Sequence, residues 1–319
     1  MTLIYSLKQI KAVLPELDLS KSIEQGFVAY SQGRTVVPPV GELVFESPPG
    51  ETHIKYGYIK GSAFYVIKVA SGFYENPGLG IASNSGLMLI FSTRTGEIEA
   101  ILLDQGYLTD VRTAIAGQIA ARYLAPSSVS KIGVLGTGVQ ARMQVEYLKP
   151  ATSCTSICVW GRTRENQEAY RTYMADRGYN VILADTPAMA AEDAQIIITA
   201  TPSSSSLLHA GDIGPGTHIT AMGSDTPAKQ ELDPVILEKA DIVVADSLSQ
   251  TRERGEISHA LKQGLLSPDR IHELGRVIES PDLGRTVETQ ITIADLTGVA
   301  VQDIQIASAV YQAMKKEKS

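Results

Sequence analysis

The segment Lys131-Ile132-Gly133-Val134-Leu135-Gly136-Thr137-Gly138-Val139-Gln140-Ala141 decides how the chain reads. An apolar run with β-branched members passes into a glycine turn and then into a helical stretch over 141–148. Strand, G-x-G-x-x-A turn and helix in immediate succession form the context of a dinucleotide-binding loop. Gly136 allows the tight bend, and Gly138 lets the backbone approach a pyrophosphate. The small Ala141 permits close helix–strand packing while the helix N-terminus faces the phosphates. The glycines alone would also fit a tight βα turn with nothing bound; their place between strand and helix favours a cofactor.

Toward the C-terminus, short apolar runs at 156–160, 181–183, 196–199, 218–221 and 242–244 alternate with helical stretches such as 165–177. That alternation predicts an α/β fold with a doubly wound, parallel-sheet Rossmann domain. After the second run, Gly161 occupies the place where an acid commonly binds the ribose hydroxyls, and Arg162, Thr163 and Arg164 follow. Arginines there suit a 2′-phosphate, so NADP(H) is favoured, with NAD(H) as the second candidate. The same arginines also fit a solvated helix start. Thr199-Ala200-Thr201-Pro202 and Thr220 to Ser224, Met222 and Gly223 included, follow the fourth and fifth runs at the ends where open sheets bind ligands. Asp225, next in line, is either an acid/base carboxylate at that crevice or an ordinary turn or capping aspartate.

Toward the N-terminus the pattern changes. Alternating runs at 53–59, 64–69 and 87–91, with helices at 7–14 and 20–32, predict a smaller α+β domain on a mixed or antiparallel sheet. A helix over 109–123 links the halves, and a β-run at 291–294 with a helix over 301–315 is expected to return to the first domain. The boundaries are therefore 1–112 plus about 300–319 for a substrate-binding and dimerisation domain, and 113–299 for the Rossmann domain. The closing Lys-Lys-Glu-Lys-Ser reads as a solvated tail.

With 319 residues, 44% of them hydrophobic, the chain is long for a single core. A formal net charge of -7 offers no basic footprint for nucleic acid or an anionic membrane, which leaves a small molecule as partner. The start carries neither a signal-peptide nor a transit-peptide pattern, and no apolar run approaches the ~18 residues of a membrane span, so a cytoplasmic location is expected. Cys154 and Cys158, the only cysteines, read as structural thiols, and five scattered histidines give a metal site no support.

Several blocks together resemble the ornithine cyclodeaminase/mu-crystallin family over nearly the whole chain. They are Ile67-Lys68-Val69 with Gly72-Phe73, Leu108-Thr109-Asp110-Val111-Arg112-Thr113-Ala114, the glycine turn, Ala221-Met222-Gly223-Ser224-Asp225 with Lys229, Glu231 and Leu232, and Gly255-Glu256 with His259. The Leu-Thr-x-x-Arg-Thr-Ala block with Gly-x-Asp is more specific than the glycine turn, and the blocks look closest to an ectoine-utilisation branch. The resemblance implies a homodimer and NAD(P)-dependent exchange at the α-carbon of a small α-amino or α-imino acid. It implies further that Lys68 and Arg112 hold the substrate carboxylate and that Asp225 is the acid/base group. Ser83, Arg112, Thr113, Val139, Gln140, Thr201, Lys229 and Thr297 fall where the family contacts cofactor or substrate. For the residues alone, the competing readings are a snorkelling lysine at 68 and a helix ion pair, to Asp110, at Arg112.

One departure bears on substrate. After the Pro38-Pro39 pair, where the family commonly carries another carboxylate-binding arginine, this chain has Glu42. The reversed charge would suit a substrate with an additional amino or amidinium group. The leading reading is an imine reductase or amino-acid dehydrogenase. A cyclodeaminase that releases ammonia with catalytic NAD+ and a non-catalytic NADP(H) or ligand carrier are the alternatives.

Overall fold

The computed structural model describes residues 2–73 and 75–316; of the expected solvated tail, everything from Glu317 on lies outside the described residues. The chain divides into two compact units, the first running to Thr113 and resuming at Val299, the second spanning Ala114–Gly298.

The first unit is built on β1 (Leu3–Ser6), β2 (Thr35–Val36), β3 (Gly41–Glu46), β4 (Pro49–Ile59), β5 (Phe64–Phe73), β6 (Asn84–Ser92) and β7 (Ile98–Leu103). The spatial order is β1-β7-β6-β5-β4-β2, with β3 also on β4; β1 pairs β7 in parallel and the other pairs are antiparallel. Side chains alternate between the two faces of a strand. On the inner face the helix Ala300–Lys316 packs against β4, β5 and the helix Leu19–Ser31. Gly26 makes that helix contact close, because a Cβ there would stand 2.8 Å from Gln305 Cγ and 3.2 Å from the Val301 oxygen. Ile23, Phe27, Ile304, Val310 and Tyr311 fill the layer.

The outer face of this sheet is apolar as well. Register aligns Ile4, Ile101, Leu89, Ile67 and Tyr56 in one row across five strands. A second row holds Ile98, Phe91, Tyr65, Tyr58 and Val36, with Tyr65 and Phe91 stacked at 4.7 Å between ring centroids. Ile4 is 60% exposed and Tyr58 37%.

The second unit carries an eight-stranded sheet of β8 (Ile132–Leu135), β9 (Ser156–Trp160), β10 (Asn180–Leu183), β11 (Ile196–Thr199), β13 (His218–Ala221), β15 (Ile242–Ala245), β16 (Ile271–Glu273) and β17 (Thr292–Asp295); β12 (Ser204–Leu208) pairs separately with β14 (Gln230–Leu232). All neighbours are parallel, in the order β10-β9-β8-β11-β13-β17-β15-β16. The central strands are buried on both sides, as a helix-covered parallel sheet requires. Ile197, Ile219, Val243 and Ile293 feed one core layer, and Val134, Val159, Ile196 and Ile198 the other.

The run at 291–294 does not return to the first unit. As β17 it lies between β13 and β15, pairing His218 with Thr292 and Val244 with Ala294. Its side chains are apolar or internally hydrogen-bonded on both faces, which suits a central parallel strand and not an edge of the first sheet. No helix among the described residues is long and apolar enough to cross a membrane.

Candidate active site

The glycine turn leaves β8 where the strand order switches direction, between β8 and β11. Gly136 has φ +116°, and a Cβ on it would come within 2.5 Å of the Ala200 oxygen, so both the bend and the close approach of β11 need glycine. Its N–H donates to the Trp160 oxygen at 2.8 Å, tying the turn to the end of β9. Gly138 caps the helix Val139–Tyr147, and a Cβ there would meet nothing within 4 Å, so the backbone is open on the ligand side. A cavity of about 450 Å³ lies against these residues, bordered also by Gly161, Arg162, Asn166 and Thr201. An open helix N-terminus, a bare glycine backbone and flanking polar groups at a switch point fit the diphosphate and ribose of a dinucleotide.

Gly161 has a packing reason of its own: a Cβ would lie 2.6 Å from Thr137 Cγ2 in the glycine turn. Arg162 and Asn166 border the cavity beside it. Thr163 is spent otherwise, since its hydroxyl accepts the Asn166 N–H as the cap of the helix Arg164–Ala175.

On the other side of the switch point, the loops after β11 and β13 are fastened together by one carboxylate. Glu231, fully buried, accepts from the Thr201 N–H and hydroxyl, both at 2.7 Å, and from the Gly223 N–H at 2.9 Å. Burial pushes its carboxyl up to about 7, against the lowering effect of those donors. Gly223 must be glycine, because a Cβ would fall 2.2 Å from the Thr201 oxygen. Glu256 repeats the device one layer back, accepting from the Glu231 and Leu232 N–H groups, and burial raises its carboxyl too. Beyond the loop, Asp225 Oδ1 sits 2.7 Å from Lys229 Nζ, and the Lys229 oxygen accepts from the Ser224 hydroxyl at 2.6 Å and lies 2.9 Å from His259 Nε2.

The first unit contains a separate cluster. Lys68 on β5 and Arg112 on the helix Tyr107–Leu124 are buried, and both face Asp303 of the helix Ala300–Lys316. Lys68 Nζ is 3.5 Å from Asp303 Oδ2, Arg112 Nε is 3.1 Å from Oδ1, and Arg112 Nη1 donates to Gln302 Oε1 at 3.1 Å. Burial brings Lys68 down to about 7, with Asp303 opposing the fall and Arg112 and Lys55 adding to it. Lys68 is thus no snorkelling surface residue, and the partner of Arg112 is Asp303. On the same sheet face Glu42 of β3 stands across from His53 of β4, with 3.7 Å between Oε1 and Nε2.

Gly136, Gly138, Arg162 and Thr201 share the cavity, Met222 and Gly223 stand on the loop anchored by Glu231, and Asp225 meets Lys229. Val139 and Gln140 open the helix behind the turn. Two other expected residues are engaged internally: Thr297 donates to Asp246 Oδ1 at 3.0 Å, and the Thr113 hydroxyl donates to the Thr109 oxygen at 2.7 Å. Ser83 contributes a backbone oxygen to the Phe73 N–H at 2.8 Å. The sequence motifs do not point to Asp303 and Gln302, although an acid amid the apolar spacing of Val301, Ile304 and Ile306 is itself a signal, since a buried charge demands a partner.

A parallel sheet in this order, with a glycine turn opening on a cavity at its switch point, defines the Rossmann class of dinucleotide folds. The family model of the ornithine cyclodeaminase/mu-crystallin family matches residues 2–318, and the chain belongs to that family. A relative named as an uncharacterized cyclodeaminase, from Sinorhizobium fredii, is 40% identical over 308 residues, covering 95% of this chain and 93% of its own. An archaeal alanine dehydrogenase dimer solved with bound NAD superposes with a TM-score of 0.89 at 31% identity, covering 100% of this chain and 97% of the other. The Thermococcus litoralis Δ1-pyrroline-2-carboxylate reductase, solved with NADH and L-proline, gives a TM-score of 0.92 at 25% identity, covering 99% and 98%.

Proposed function

We propose that the protein is an NAD(P)H-dependent oxidoreductase of C–N bonds, an imine reductase or amino-acid dehydrogenase acting on a small α-imino or α-amino acid. The observation that carries this reading is the buried pair of cations, Lys68 and Arg112, gathered on one inward-facing carboxylate. Arginine offers a planar fork and lysine a compact second charge, a combination suited to a carboxylate ligand. The relatives named for alanine dehydrogenase and pyrroline-carboxylate reductase act on ligands with that group.

Gly136, Gly138, Arg162, Asn166 and Thr201 would hold the dinucleotide, with NADP(H) preferred because Arg162 borders the ribose end and Gly161 carries no acid there. When bound, the nicotinamide supplies the two-electron exchange at the substrate α-carbon. Lys68 and Arg112 orient the carboxylate, and Asp225, steadied by Lys229, accepts or returns a proton at the substrate nitrogen. Glu231 fixes the two loops whose backbone frames the crevice. The first unit serves substrate binding and pairing with a second copy. The relative named as a cyclodeaminase favours one second reading, a cyclodeaminase, which Glu42 in place of the family's arginine and Gly161 in place of its acid keep second.

The test is a spectrophotometric screen of NADPH and NADH oxidation against cyclic and acyclic imino acids, including imines formed in place from 2-oxo acids and amines. NADPH oxidation with at least one of them is expected. Ammonia release from ornithine with catalytic NAD+ and no lasting absorbance change would establish the cyclodeaminase. NADPH binding with no turnover across the whole panel would leave a carrier.

A further inference from the structure

The Lys68 and Arg112 side chains share a feature that a carboxylate-binding site does not need for charge alone, which is a resident carboxylate of the protein itself. Asp303 is 1% exposed and contacts both cations, at 3.5 Å and 3.1 Å, from the first turn of the helix Ala300–Lys316. Its neighbour Gln302 takes the Arg112 Nη1 donor, so one helical turn fixes two sides of the guanidinium. The remaining donors of the fork are the ones a ligand carboxylate can take. We propose that Asp303 is a positioning residue for substrate recognition: it holds Lys68 and Arg112 at the spacing a carboxylate requires and favours the charged form of the lysine.

The charges around Lys68 make this specific. Lys55 stands directly across from it on β4, Arg112 faces it from the helix Tyr107–Leu124, Asp303 from the helix Ala300–Lys316, and Asp104 acts on it from the end of β7. On β6 its partner is Met88, which is apolar and buried. Two cations and burial thus disfavour the ammonium, and Asp104 spends its Oδ2 on the Leu108 N–H at 2.8 Å. Asp303 is the carboxylate in contact, and an ammonium this deep without one would release its proton. Counting charges gives the opposite forecast: deleting a negative group from an anion site should tighten anion binding. The proposal predicts weaker binding, because the lysine loses its charge and the arginine its anchor.

This inference rests on the carboxylate-substrate reading, and its test separates the two. Protein labelled with 15N-lysine is titrated by NMR, the Lys68 Nζ signal being assigned through Lys68→Met, for the wild type, Asp303→Asn and Asp303→Glu. L-proline, the carboxylate probe, is titrated calorimetrically with NADH bound. Asp303→Asn should lower the pH at which Lys68 loses its proton by about one unit or more and weaken L-proline roughly tenfold near pH 8, with recovery toward pH 6. Asp303→Glu keeps the charge and should leave the Lys68 titration near the wild type, which also covers the case of an Asn variant that does not fold. Equal or tighter L-proline binding by Asp303→Asn, or a Lys68 titration unmoved in it, overturns the proposal, as does a Glu variant whose Lys68 titrates as low as in Asp303→Asn. If no form binds L-proline, the substrate reading fails for that ligand, and the Lys68 titration still judges Asp303.

Discussion

At the residue scale the proposed reaction turns on two side chains, Asp225 and Lys68. Asp225 is held by Lys229, whose own backbone oxygen is gripped by Ser224 and neighboured by His259. Asp225→Asn keeps the size and loses the proton acceptor, so turnover should fall by about 10²–10⁴-fold while NADPH affinity, followed by fluorescence, stays within about twofold. Unchanged turnover would remove Asp225 from the chemistry. Lys68 titrates down to about 7, so its positive charge is present below that pH and fades above it. Affinity for a carboxylate ligand should accordingly decline as pH rises through about 7, and a flat affinity across that range would contradict the assignment. The folded-state value is depressed from 10.5, so the group favours the folded state above 10.5 and that contribution is lost as pH falls through about 7. In the sequence Lys68, Arg112 and Asp225 stand out through the blocks that resemble the family, since each lies in a distinctive one. The sequence could not show that the Thr163 hydroxyl accepts in a helix cap and that Thr297 donates to Asp246, since a hydroxyl's partner is chosen by the folded chain.

Among the elements, the loops following β11 and β13 depend on Glu231. Glu231→Gln replaces an acceptor by a donor facing N–H groups, and should cost about 1–3 kcal/mol of stability and weaken NADPH binding. The pH dependence carries a sign. The folded-state value is raised from 4.5 to about 7, so the stabilising contribution is full below 4.5 and is lost as pH rises through about 7. The Gln variant should show a flatter melting temperature between those values, and an unchanged slope would exclude Glu231 as its source. Strands β8, β9, β11 and β13 were legible residue for residue, because a buried parallel strand is a short apolar run between turns. The hairpin strand Gly41–Glu46 went unread: most of its residues are exposed, so burial imposes no alternation on them. The place of β17 in the sheet also escaped, as spatial order is set by partners far along the chain.

For the whole molecule, the outer face of the first sheet sets the expectation. Two aligned rows of five apolar and aromatic residues are more contiguous than a lone chain ordinarily exposes, and a second copy related by a two-fold axis would cover them with the same rows. The double variant Leu89→Lys, Tyr56→Lys should sediment as a monomer where the wild type sediments as a dimer. A wild-type monomer would reject the pairing. The α/β class and the Rossmann sheet were readable from alternating runs, whereas the destination of the run at 291–294 was not, because that strand and the helix Ala300–Lys316, separated only by residues 296–299, enter different units.

That division has a consequence for biosynthesis. Residues up to Thr113 leave the ribosome first, yet the helix that covers their sheet and bears Asp303 comes from Val299 onward. The second unit has its complete sequence before the first does, so the nascent chain should acquire protease resistance in the middle before it does at the start. Lys68 and Arg112 wait, without their counter-ion, until the chain has been made as far as Asp303.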